Sequence, residues 1–132
     1  MPRHSFALAA TLLLLATASA PLGAQTVATD STAIQLAKGK KLFEAKGLCF
    51  TCHGVQGEGM LGPSTRLAAG KVWLHSKGTL PEIVALIKSG VEPSKSMIGA
   101  AMPPRGGSRL TDAEVQLVAA YVLELHKRTP TQ

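Results

Sequence analysis

GLCFTCHG, residues 47–54, holds the only two cysteines of the chain. They lie three positions apart, and His53 follows the second at once. Such a pair serves a redox dithiol, half of a zinc site, or the tether of a cofactor. A disulfide between Cys49 and Cys52 would close a tiny loop and constrain little. A thioredoxin-like dithiol wants a βαβ pattern beside it. A zinc site wants four protein ligands, and His53 and His75 complete one only on paper.

The surrounding sequence separates these chemistries. The N-terminus, MPRHSFALAATLLLLATASAPLGAQ, has a short basic start at Arg3 and His4 and an uncharged apolar run from Phe6 to Ala20. Small residues follow. This is the layout of a secretory signal peptide over residues 1–24, with cleavage after Ala24. The apolar run is shorter than the ~20 residues a membrane span needs, so the mature chain is expected to carry no permanent span. Residues 25–32 read as a flexible lead-in, 33–128 as one domain, and 129–132 as a tail. Export to the periplasm is the expected localisation.

Charge says less. There are 14 Lys and Arg against 8 Asp and Glu, for a net charge of +6. The basic residues are scattered apart from Lys38, Lys40, Lys41 and Lys46, and no aromatics interleave them. That argues against nucleic-acid binding and leaves a basic surface suited to acidic partners.

The periodicity is helical. Residues 33–47 read as a helix with Leu36, Gly39 and Phe43 on one face and Gly47 as its stop. Gly39 costs up to ~1 kcal/mol relative to Ala inside a helix, so its place there suggests close approach of another helix. Residues 79–90 read as a second helix, with a Thr79/Glu82 capping box, Pro81 in the first turn and Gly90 at the end. Ile83, Leu86 and Ile87 form its apolar face. A third helix begins after Leu110, with Thr111 and Glu114 as its box and a stripe of Val115, Val118, Ala119 and Val122. Between these helices, 48–78 and 91–110 read as Gly- and Pro-rich loops. No strand alternation or internal repeat is present. The fold class is all-α.

Cys49-Phe50-Thr51-Cys52-His53 fits C-x-x-C-H, the spacing that attaches a c-type haem. Two cysteines three apart reach the two vinyl groups of one haem, and the histidine after them can ligate its iron. Export agrees, because such thioethers are made outside the cytoplasm. One haem c, covalent through Cys49 and Cys52, is the expected cofactor. The opposite axial ligand comes from Met60, Met97, Met102, His75 or His126. Met60 follows His53 by only seven residues, too few to round a haem easily. Met97 and Met102 lie in the second loop, which can lay its backbone over a haem face. Pro103 and Pro104 stiffen the chain after Met102 and bias it to an extended backbone. The expected metal ligands are therefore His53 and Met102.

At this point the chain resembles a class I c-type cytochrome of the small, exported, bacterial mono-haem type. The resemblance runs over residues 34–126: helix, C-x-x-C-H, Gly-Pro loop, middle helix, Met-Pro loop and C-terminal helix. AMPPRGG (101–107) and LTDAEVQLVAAYV (110–122) carry it alongside the haem motif. It implies a cytochrome c-like fold, with about three main helices wrapped around one haem. It implies that Gly39 and Phe43 meet Tyr121 on the last helix. In LGPS (61–64), Gly62 and Pro63 match the turn whose proline carbonyl accepts the proton of the haem-ligating imidazole. Trp73 resembles a tryptophan that hydrogen-bonds a haem propionate, and His75 and Arg105 are further propionate candidates. The segment 64–78 is short, and Thr65 stands where the family pattern has leucine.

The implied function is electron transfer rather than enzymatic turnover. With both axial positions filled, the iron has no open site for substrate. Partners are expected to be redox proteins with acidic docking surfaces. The alternative is a haem subunit held permanently in a larger dehydrogenase or oxidase.

Overall fold

A computed structural model describes residues 23–69 and 72–128. Among these residues the chain forms four helices and no strand: α1 (Gly23–Glu44), α2 (Phe50–His53), α3 (Leu80–Ser89) and α4 (Asp112–Lys127). The all-α expectation holds. The leader expected over 1–24 lies outside the described residues except for Gly23 and Ala24, and so does the 129–132 tail. No helix among the described residues is long and apolar enough to cross a membrane.

α1 begins ten residues before the expected Ala33 and runs through the segment read as a lead-in. The physical reason is local: residues 25–36 contain neither Gly nor Pro, so nothing there breaks a helix. It ends at Glu44 rather than at Gly47. Gly47 instead closes the following turn, its N–H donating to the Leu42 carbonyl at 2.7 Å.

The helix starts follow the sequence. At α3 the Glu82 carboxylate accepts from the Thr79 N–H at 3.3 Å and from its hydroxyl at 2.8 Å. At α4 the Thr111 N–H donates to Glu114 at 2.8 Å, and the Glu114 N–H donates back to the Thr111 hydroxyl at 3.3 Å. These contacts satisfy helix-end donors that otherwise lack partners.

The core sits where α1 and α3 pack on α4. Val115, Val118, Ala119 and Val122 are buried, as the stripe requires, together with Tyr121 and Leu125. Ile83 and Ile87 face them from α3, and Phe43 from α1. Gly39 is the point of closest approach between α1 and α4. A Cβ there would lie 2.2 Å from the Leu117 carbonyl oxygen and 2.9 Å from Tyr121 Cβ. One turn on, the Phe43 and Tyr121 rings meet edge to face at 5.5 Å. Such a pair adds roughly 0.5–1.5 kcal/mol beyond its area burial. The helical frame leaves the two loops between helices free to wall a cavity.

Candidate functional site

Cys52 lies on a short helix in a segment expected to be loop, and Cys49 is the residue that caps its start. α2 forms inside the C-x-x-C-H motif itself, with His53 N–H bonded to the Cys49 carbonyl at 3.0 Å. One helical turn therefore brings Cys49, Cys52 and His53 together. Both cysteines are free thiols. Burial pushes the Cys49 thiol up to about 11, against a lowering by its backbone hydrogen bond and with a further rise from Cys52. A thiol held protonated is a weak nucleophile. Among the described residues no three His, Cys, Asp or Glu side chains gather as a metal site. A zinc site therefore lacks its set of ligands among the described residues.

His53 is half-buried and anchored. Its Nδ1–H donates to the Thr65 carbonyl at 2.7 Å. A carbonyl only accepts, so the ring proton sits on Nδ1 and Nε2 keeps its lone pair. Burial lowers the pKa of His53, partly offset by the Thr65 hydrogen bond, and favours the neutral ring that can ligate a metal. Fixing the far nitrogen in this way orients a metal-binding imidazole and raises its basicity.

The partner of that imidazole is a correction. Pro63 was expected to supply the carbonyl, but Pro63–Thr65 is a single 3₁₀ turn. Its first carbonyl is consumed by the Arg66 N–H at 3.3 Å. Thr65, at the end of the turn, offers its carbonyl instead. The Thr65 hydroxyl pins the turn, donating to the Gly62 carbonyl at 2.9 Å and accepting from the Leu61 N–H at 3.3 Å. The threonine that departs from the family pattern thus carries the contact. Pro63 remains on the cavity wall.

Two cavities of about 440 and 250 Å³ meet at these residues. Cys49, His53 and Met102 line both, and Cys52 lines the smaller. Ile83, Ile87, Val118 and Val122 make the inner wall of the larger. The larger lies within the ~300–1,000 Å³ of cofactor sites with mostly apolar linings, and the smaller adjoins it. Two free thiols, a neutral anchored imidazole, a thioether and apolar walls form the donor set and shape that a haem c requires.

Met102 is placed by its backbone. Val91 and Met102 exchange two hydrogen bonds, at 2.8 and 2.9 Å, in an isolated antiparallel bridge beside the end of α3. Gly90 makes the approach possible: its φ is +73°, and a Cβ there would lie 2.2 Å from the Met102 carbonyl oxygen. Met97 and His75 also line both cavities, but Met97 is 72% exposed where Met102 is half-buried. Met60 is 63% exposed and lines neither.

Trp73 lines the larger cavity. Its ring stacks on His126, with centroids 3.9 Å apart. The His126 Nδ1–H donates to the Leu67 carbonyl at 3.2 Å. This role for His126 was missed, although Val118, Val122 and His126 share the four-residue spacing of one helix face and all line the cavity. Arg105 is not a free propionate partner. It donates to the Leu110 carbonyl at 2.7 Å and pairs with Asp112.

A family model described as Cytochrome c matches residues 36–126, more than two thirds of the chain. No curated protein and no solved structure gives a significant match. The matched span runs from α1 into the last turn of α4 and contains every residue that lines the two cavities. The chain belongs to the cytochrome c family.

Proposed function

We propose that this protein is a one-electron carrier holding one haem c, tethered by thioethers to Cys49 and Cys52 and ligated by His53 and Met102. The observation that carries the reading is the shared wall: His53, neutral and anchored, and Met102, pinned by its backbone, line the same two cavities together with Cys49. A haem bound there supplies one-electron cycling between Fe(II) and Fe(III).

The chain's own residues do the rest. Thr65 holds the proton on Nδ1 of His53, so the imidazole binds as a neutral, well-oriented donor. The Val91 bridge and Pro103 fix the backbone of Met102, so little entropy is lost when its sulfur ligates. A neutral Met sulfur favours the reduced state and a positive potential. Ile83, Ile87, Val118 and Val122 exclude water from the inner wall. Were His53 and Met102 both to ligate the iron, a haem held here would offer no open position to a substrate.

The reading includes export, with residues 1–24 removed and the carrier working in the periplasm. Partners are redox proteins with acidic docking surfaces. Lys40, Lys46, Lys88 and Lys127 are committed to acidic neighbours. Among the described residues Lys95, next to Ser96 and Met97 on the smaller cavity's wall, makes no ion pair, so it can steer a partner. Association rates should then fall as salt screens the charges.

Optical spectroscopy tests the ligation. The ferric protein should show the weak far-red band of Met–iron ligation, and Met102→Ala should lose it and bind carbon monoxide when reduced. Survival of the band in that variant moves the ligand to Met97. Carbon monoxide binding by the untreated ferrous protein refutes a closed electron carrier.

A further inference from the structure

The loop that carries Met102 is tied down at a second point, away from Met102. After Pro103 the chain makes a tight turn, Pro104–Gly107, in which Arg105 takes a φ of +54°. A non-glycine residue in that region is uncommon and needs its surroundings to hold it. The Arg105 side chain supplies the hold. Its guanidinium donates to the Leu110 carbonyl at 2.7 Å and to the Asp112 carboxylate. The other Asp112 oxygen takes Lys88 from α3 at 2.7 Å. Asp112 thus joins three elements: the end of α3, the Met102 loop and the first turn of α4. The cap of α4 does not require it, because Thr111 and Glu114 already fill that role. The same turn presses on the segment leading to Cys49, since a Cβ on Gly106 would lie 2.6 Å from the Gly47 carbonyl oxygen.

We propose that Asp112 is a positioning residue for the sixth ligand: by pairing with both Arg105 and Lys88 it holds the 102–107 loop closed and sets how readily Met102 leaves the iron. This rests on the reading of Met102 as ligand. The clamp acts through the loop, because Asp112 lines neither cavity.

Imidazole titration of the ferric holoprotein tests it, because imidazole binds only after Met102 has left. Asp112→Asn and Lys88→Gln should each bind imidazole at roughly two- to fivefold lower concentration, the scale of an exposed ion pair in the upper part of its range. Combining them should add little, since they break one network. Asp112→Glu should restore most of the wild-type affinity. Hydrogen exchange supplies a second readout. The Met102 and Gly106 amides should exchange faster in Asp112→Asn, while the Val115 amide, bonded to Thr111 at 2.9 Å, should not. Faster exchange at Val115 alone, with wild-type imidazole affinity, would reduce Asp112 to a helix-end residue and overturn the clamp. A wild type that binds imidazole as tightly as Met102→Ala overturns the ligand reading and the clamp with it. A wild type that binds far more weakly than Met102→Ala, with Asp112→Asn matching wild type, overturns the clamp alone.

Discussion

Gly39→Ala sets two effects of opposite sign against each other at one position. In an isolated helix the change gains up to ~1 kcal/mol, because alanine loses less backbone freedom than glycine. Here the new Cβ would sit 2.2 Å from the Leu117 carbonyl oxygen, 2.9 Å from its carbon and 2.9 Å from Tyr121 Cβ. Two of these are backbone atoms of α4, so no side-chain rotation relieves the clash. α1 must move away from α4, and the Phe43–Tyr121 contact one turn on moves with it. Overpacking of this kind costs ~1–3 kcal/mol and sometimes more. The upper part of that range applies because the obstacle is main chain. Subtracting the propensity gain leaves about 1–2 kcal/mol of net destabilisation. For a domain near 100 residues this lowers Tm by roughly 5–15 °C. Thermal unfolding of the haem-loaded protein, followed by circular dichroism, measures it. Lys38→Gly is the matched control, because Lys38 is exposed one residue away. It should cost up to ~1 kcal/mol by propensity alone. If Gly39→Ala raised Tm, or left it unchanged while Lys38→Gly lowered it, close helix approach at Gly39 would be refuted.

Gly90→Ala should both strain a φ of +73° and drive a Cβ into the Met102 carbonyl; a loss of about 1–3 kcal/mol in denaturant unfolding and a weakened far-red band are the expected signs. Thr65→Val removes the hydroxyl that pins the Pro63–Thr65 turn. It should cost about 1 kcal/mol, and the His53 Nδ1 proton should exchange faster by NMR. The Asp112 carboxyl is pushed down to about 2, first by its hydrogen bond to Lys88 and then by that to Arg105. A carboxyl depressed in the folded state stabilises above its unfolded value of 3.8 and loses that contribution as pH falls toward 2. Unfolding measured across this window should therefore show a shallower acid loss in Asp112→Asn than in wild type.

What was legible in the sequence was whatever had a short-range cause. Both capping boxes, the Val115–Val122 stripe and the Gly39 contact follow from spacing of three or four residues, and the structure contains them. The C-x-x-C-H motif was legible because one turn of chain carries all its chemistry, though the turn's helicity was not foreseen. The errors lie where tertiary geometry decides. Which carbonyl meets His53 depends on how the Pro63–Thr65 turn spends its own hydrogen bonds, and the count from Gly-Pro pointed two residues early. Arg105 looked like a free cation until folding set Asp112 beside it. His126 stood at the end of a cavity-facing row, but its partner Trp73 lies 53 positions away in a loop without periodicity. The start of α1 was misplaced because polar residues without Gly or Pro can continue a helix as readily as leave it.

Covalent haem attachment through Cys49 and Cys52 is the claim on which the carrier function stands, and the intact mass of the exported, mature protein tests it most directly. Expression beside a cytochrome c maturation system should give the polypeptide mass plus one haem, surviving acid-acetone extraction. Cys49→Ala with Cys52→Ala should give the bare polypeptide. A wild-type mass without haem, or haem lost to acid-acetone, would contradict it.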